Sequence, residues 1–318
     1  MFWFSKNHTY FIGVDVGDET LKMVQLTNDK NDISIIAGGS ENRPADVEPG
    51  SVDWQRWAIA AIKKLTSNGK FRGRDVIAAM PASEVFIENM RMPKTETPHQ
   101  TAGTTPAIEA AIFSKIRQKL PFEADDAMIR YIPTEKDNVV VIAAERKKVD
   151  RHLAIYEKTN LQIKSISIWP VALANCYTRF FGRRKSDIEA IVMLLDIEPD
   201  CTNVVICRHK NILFARSIPI GSKQLDTDEI LARLTLELTA CRRHFTTMYN
   251  KAQIERVIFL SGQTVDRDTC TTIAERLELP AQMGDCLAAV KIVDPCDSGV
   301  DRRGCRINWA TAFGLSLS

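Results

Sequence analysis

FIGVDVG, residues 11–17, is the stretch on which the reading of this chain turns. Together with Tyr10 it is short, rich in β-formers and stopped by a glycine, as a buried strand is. Segments 21–27 and 33–37 follow at hairpin distance, with Asn28, Asp29, Lys30 and Asn31 filling the second gap. The spacing predicts three consecutive antiparallel strands. Trp54, Trp57, Ala58, Ala61, Ile62 and Leu65 then lay one apolar stripe along a helix, with Asp53 as its N-cap and Gly69 as its stop. Residues 76–80 (VIAAM) are a further buried strand, closed by Pro81.

The same order returns in the second half. Residues 188–197 (IEAIVMLLDI) are apolar on both faces, which suits a central strand. Strands 202–207 and 211–218 follow, then a long helix carrying Ile230, Leu234, Leu238, Cys241, Phe245 and Met248, then strand 257–260. A helix at about 267–277 and a last one around 309–315 end the chain. Two weakly similar β-β-β-α-β halves, each with an aspartate at the tip of its first strand (Asp15 and Asp196), predict a two-lobed α/β protein. The two carboxylates are expected to face each other across a central cleft.

Between the halves, residues 82–165 read as a smaller inserted unit. It holds strand 85–92, a Thr- and Pro-rich loop at 93–103, and a helix opened by Thr105 and Pro106 that carries Ile108, Ile112, Ile116 and Leu120. A hairpin at 127–133 and 138–144 follows, turning at 135–137, and then helix 147–160 and strand 161–168. Helix 171–181 closes the first half. The expected organisation is a tail at 1–7, a first lobe at 8–182 with the insertion, and a second lobe at 186–318.

Composition narrows the function classes. Of the 318 residues, 42 are Lys or Arg and 40 are Asp or Glu, a formal charge of +2, so neither a polybasic nucleic-acid coat nor an acidic tail is present. At 45% hydrophobic and 26% charged, the chain has the make-up of a folded globular protein. No apolar run approaches the roughly 20 residues that cross a bilayer. The 8 cysteines all fall between Cys176 and Cys305 without a C-x-x-C pair, so neither a disulfide framework nor a zinc spacing is indicated. A soluble, intracellular and reduced protein is expected. The P-loop and G-x-G-x-x-G patterns are absent, and His8, His99, His152, His209 and His244 lack metal spacing or a nucleophile-elbow serine. A zinc enzyme or hydrolase triad has no support.

What remains is the pair of strand-tip turns. A glycine beside an acidic strand end lets backbone N–H groups approach phosphate oxygens, and the aspartate can hold a hydrated divalent cation. A single D-x-G is also an ordinary strand exit; a second strand-tip turn with its aspartate in the matched position makes the signal more specific. Lys22 can support a phosphate or lie on a solvated strand face, and Thr202 can be a phosphate ligand or a β-former. Arg179, Arg183, Arg184 and Lys185 form a basic knot suited to a solvated linker or to anionic lipid. Phe2, Trp3 and Phe4 either pack on the body or meet a partner or membrane.

The chain from near residue 8 to its end resembles the actin-like PilM family of type IV pilus assembly proteins, relatives of the division protein FtsA. FIGVDVGDETLKMVQL, RQKLPFEADDAMIRYIP, IWPVALANCYTRFF, LFARSIPIGSKQL, LELTACRRHF, VIFLSGQ and NWATAFGLSLS carry the resemblance. It implies a two-lobed, ribonuclease H-like duplicated fold with a small subdomain inserted in the first lobe. It also implies ATP in the cleft near Asp15, Gly17, Thr20, Lys22, Asp196, Thr202 and Gly262, and Mg²⁺ held through water by Asp15 and Asp196. The implied partner is the N-terminal tail of a PilN-like inner-membrane protein, bound beside the insertion. Other pilus inner-membrane components and self-association stand as further options, nucleic acid does not, and the implied location is the cytoplasmic side of the inner membrane.

The phosphate turns depart from that pattern. Asp18 and Glu19 stand where small hydroxyl residues are usual, and Glu198 and Gln263 stand where glycines are expected. Each glycine replacement adds a Cβ at a close approach, and the acids add negative charge beside a polyphosphate. The expectation is therefore a scaffold that binds ATP weakly or not at all. An active actin-like ATPase and a scaffold like the cytoplasmic domain of a type II secretion protein are the alternatives. An FtsA-like filament protein, which usually carries a C-terminal amphipathic helix, is the least expected of the alternatives.

Overall fold

The structure is a computed structural model and describes residues 8–29, 32–92, 106–262, 264–292, 300 and 307–318. β1 (His8–Val16), β2 (Thr20–Asp29) and β3 (Asp32–Asn42) form the expected antiparallel meander. α1 (Val52–Asn68) leads to β4 (Asp75–Ala79), which lies parallel to β1. Ser51, not Asp53, caps α1. Its hydroxyl accepts the Trp54 N–H at 3.1 Å, which leaves Asp53 in the first turn paired with Arg56.

The chain then leaves this sheet. β5 (Val85–Arg91), α2 (Pro106–Ile116), β6 (Ala127–Pro133) and β7 (Asn138–Glu145) build a separate antiparallel sheet in the order β5-β7-β6. The sequence pattern groups α3 (Arg146–Glu157) and β8 (Gln162–Ser167) with the insertion. They instead return to the first sheet, where β8 lies parallel to β4. α4 (Trp169–Phe180) follows.

The second half begins with a short helix, α5 (Lys185–Glu189), where sequence places the start of a strand. Asp187 accounts for the difference: it accepts the Arg184 backbone N–H and pairs with Arg256 at 2.6 Å, which winds the segment before the strand can begin. β9 (Ile191–Ile197), β10 (Thr202–Arg208) and β11 (Asn211–Ile218) repeat the meander. α6 (Asp228–Met248), β12 (Arg256–Phe259), α7 (Arg267–Leu277) and β13 (Ala281–Met283) complete that unit. β14 (Lys291–Ile292) and α8 (Ala310–Ser316) then cross back toward the first half.

The duplication is visible in the strand order. One sheet runs β14-β3-β2-β1-β4-β8 and the other β11-β10-β9-β12-β13. Without β14 the two orders correspond strand for strand, with matching parallel and antiparallel pairings. Alternation along β9 shows how the layers stack. Val192 and Leu194 join a core shared with α4, α8 and the first sheet, while Met193, Leu195 and Ile197 face α6 and α7. On the first sheet Ile12, Val14, Leu21 and Met23 pack against Trp54, Ala58 and Ile62 of α1 and Ile155 of α3. α4 and α8 therefore sit between the two sheets, where Trp169, Leu173, Tyr177 and Phe313 are buried. At roughly 1.5–3 kcal/mol for each fully buried large apolar side chain, this shared layer is what holds the halves in one register.

The inserted sheet meets β11 of the second half through Asn89, while Thr134, Glu135, Lys136 and Asn138 make further bonds to Tyr249, Arg208 and Met248. Asn89 Nδ2 donates to the Ala215 carbonyl at 2.8 Å, and its Oδ1 accepts the Ala215 N–H at 3.0 Å, continuing β11 as a strand neighbour would. Asn89→Leu leaves both buried backbone groups unpaired. We expect it to lower the urea unfolding free energy by about 2–4 kcal/mol; a change within 0.5 kcal/mol would show that the Asn89 contact is dispensable.

Candidate functional site

β1 ends in a tight turn, Gly17 N–H donating to the Thr20 carbonyl at 3.1 Å. A Cβ on Gly17 would stand 2.9 Å from that oxygen, so only glycine closes this turn without displacing it. Strand register sets Lys22 of β2 opposite Asp15 of β1, and in the second half Asn203 of β10 opposite Asp196 of β9. The duplicated aspartates thus have non-duplicated partners, a cation on one side and an amide on the other.

Lys22 is 3% exposed, which removes the solvated reading for it. Its Nζ lies 2.8 Å from Asp15 Oδ2 and 3.2 Å from Glu198 Oε1. Asn308, just before α8, donates from Nδ2 to Asp196 Oδ1 and also lies 3.3 Å from Glu198 Oε1. Asn203 Nδ2 donates to the other Asp196 oxygen at 3.0 Å. The result is a continuous polar chain between the sheets: Asp15, Lys22, Glu198, Asn308, Asp196, Asn203.

This chain holds more carboxylate than cation. Burial opposes the Lys22 ammonium, but Asp15 and Glu198 beside it outweigh that and hold its pKa well above the ordinary range. Burial raises the Asp196 carboxyl above its ordinary value, against the pull of Asn203, Lys22 and Asn308. Burial also pushes Glu198 up to about 7, with Asp196 and Asp15 adding to the shift and Lys22 opposing it.

Asp15, Gly17, Thr20 and Lys22 line a crevice with Asp18, Glu19, Glu198 and Asp200, walled by Pro81, Trp169 and Thr311. Its free volume is about 70 Å³, small against the roughly 300–1,000 Å³ of pockets that enclose organic ligands. The residues that depart from the family pattern are engaged here. Ser83 Oγ donates to Asp18 at 2.8 Å, and Glu19 pairs with Arg43 and, across the two halves, with Lys223, both at 2.8 Å. The ammonium of Lys22 lies 2.8 Å from the Asp15 carboxylate. Among the described residues no group of three or more His, Cys, Asp or Glu is arranged to hold a metal ion.

The other sequence candidates fall elsewhere. Thr20 lines the crevice, but its hydroxyl donates to Asn42 Oδ1 at 3.2 Å. Thr202 is fully buried and donates to the Ile220 carbonyl at 2.7 Å, outside the crevice lining. Asp196 lies behind the crevice wall, among Asn203 and Asn308. Gly262 takes a φ of +61° after Ser261, whose hydroxyl oxygen accepts the Ile197 N–H at 2.7 Å. Gln263, Phe2, Trp3, Phe4 and loop 93–103 lie outside the described residues. Sequence reasoning assigned no role to Asn203, Asn308 or Lys223. Asn308 had a local signal, since its Oδ1 accepts the Ala310 N–H at 3.0 Å where α8 begins.

The comparisons with known proteins bear on this geometry. The family model described as type IV pilus assembly protein PilM matches residues 13–242. A solved PilM–PilN type IV pilus biogenesis complex is similar in fold over 97% of this chain and 98% of that one, at 20% identity and a TM-score of 0.75. The cytoplasmic domain of EpsL, an inner-membrane component of the Vibrio cholerae type II secretion system, is similar over 97% and 95%, at 13% identity and a TM-score of 0.50. No curated protein matches the chain.

Proposed function

The chain belongs to the PilM family of type IV pilus assembly proteins and has its actin-like, two-lobed α/β fold, and from that premise we propose that it is a scaffold holding the N-terminal tail of a PilN-like membrane protein. In this reading its affinity for ATP is weak or lost. It works on the cytoplasmic side of the inner membrane, brought there by the tail it binds.

The observation that carries the reading is a groove of about 380 Å³ where the inserted sheet, α4 and the second half meet. Ile132, Val171, Ala174, Ile212 and Leu213 supply apolar walls, and Asn211 is a polar, exposed residue at its edge; Thr134 and Asn175 also line it but bond to Tyr249 and to Gly314 and Ser318. The outer strand β6 ends at this groove. An extended tail entering here finds anchors for alternate side chains and partners for its main chain.

The test is titration of the full chain with labelled N-terminal peptides of the membrane proteins encoded beside it. One of them is expected to bind. Asn211 is exposed at the groove, and Asn211→Trp is expected to weaken that binding at least tenfold by filling it, with little effect on folding. Absence of binding by every such peptide would overturn the scaffold reading. A tail that binds the tryptophan variant as it binds the wild type would move the site elsewhere.

A further inference from the structure

We propose that the Glu198 carboxylate is a built-in occupant of the anion position opposite Lys22, and that it closes the crevice to nucleoside polyphosphates. The inference deepens the reading that ATP is held weakly or not at all, and rests on it.

Glu198 is fixed where β9 exits. Its N–H donates to the Cys201 carbonyl at 2.9 Å, and its own carbonyl accepts the Ser222 N–H at 2.9 Å. From that clamped turn the side chain reaches the neighbouring sheet. One oxygen, Oε1, lies 3.2 Å from the Lys22 ammonium and 3.3 Å from the Asn308 amide nitrogen. An ammonium and an amide N–H converging on one oxygen are what a protein offers a phosphate oxygen. Here the chain's own carboxylate has taken both.

Charge works in the same direction. Lys22 is the one cation among the described residues that line the crevice, against Asp15, Asp18, Glu19, Glu198 and Asp200. Its ammonium is already shared between Asp15 and Glu198. A polyphosphate entering must displace Glu198 from both donors and then lie beside it. Glycine at this position has no side chain to compete and frees the Lys22 and Asn308 donors for a ligand.

The experiment compares wild type, Glu198→Gly and Glu198→Gln as full chains at pH 8. Mg²⁺–ATP is titrated by anisotropy of a ribose-labelled analogue and by shift of the thermal midpoint. The glutamine variant is expected to bind about 5- to 1,000-fold tighter than wild type, the range set by removal of one charge some 4 Å from phosphate at effective dielectrics from about 80 to about 20, and the glycine variant at least as tightly as the glutamine one. A cooperatively unfolding variant with wild-type affinity overturns the inference. If the glycine variant does not fold, the isosteric glutamine variant decides the question by the same criterion. Tight binding by the wild type instead overturns the weak-nucleotide reading on which the inference rests. Tail binding, measured on the same samples, reports separately on the scaffold.

Discussion

Gly314→Ala is expected to remove most of the folded protein. Gly314 lies in α8, which is enclosed between the two sheets. A Cβ built there overlaps the carbonyl of Ala172 in α4 and comes within 2.8 Å of its Cα. Backbone cannot swing aside as the end of a flexible side chain can. Separating the helices would also strip Phe313, Leu315 and Leu173 from a closely packed layer. A cost above about 4 kcal/mol follows, a large share of the 5–15 kcal/mol that keeps a typical domain folded. Leu236→Ala is the control: Leu236 is 71% exposed and its loss should change stability by less than about 0.5 kcal/mol. Urea unfolding of Gly314→Ala within 1 kcal/mol of wild type would show that α4 and α8 are not locked together as described.

Lys22→Met is the second large effect, and its size depends on pH. Lys22 gains a raised pKa on folding, so its stabilisation is fully present below the unfolded value near 10.4 and is lost only as pH climbs through the folded value. Without the ammonium, Asp15 loses its ion-pair partner and faces Glu198 and Asp196 uncompensated. Removing one partner of a buried ion pair costs about 3–5 kcal/mol, and that is the loss expected at pH 8. The deficit should shrink as the sample is acidified toward pH 5. Glu198 and Asp196 already have raised values, and taking up protons relieves the repulsion the lysine had balanced. Chemical unfolding at pH 8 and pH 5 checks both parts. A deficit that stays constant or grows on acidification would contradict the charge account.

Comparison of predicted and observed elements shows which physical signals a sequence carries openly. The meanders are readable because alternation and turn residues are local, and α6 because its apolar spacing repeats along one face: Leu234, Leu238, Cys241, Phe245 and Met248 are all buried. The start of β9 is not, because Asp187 takes its partner, Arg256, from β12. The return of β8 to the first sheet is likewise hidden, since strand pairing across the insertion leaves no trace in the spacing of either strand.

The site divides along the same line. Asp15, Gly17, Lys22, Asp196 and Glu198 can be singled out because each sits at or beside a strand tip whose twin occurs in the other half. Their roles cannot be assigned that way. Whether Lys22 faces water or a carboxylate, and whether Glu198 points outward or into the crevice, depends on groups far off in the chain. The amino-acid order alone established the duplicated halves and the turns where chemistry is concentrated, because those rest on periodicity and near-neighbour geometry; the family came from the resemblance of whole segments. Only the packed molecule decided that Glu198 meets Lys22 and that Asn308 joins Asp196 to both, because charge pairing acts over a few ångströms of space between residues more than a hundred positions apart.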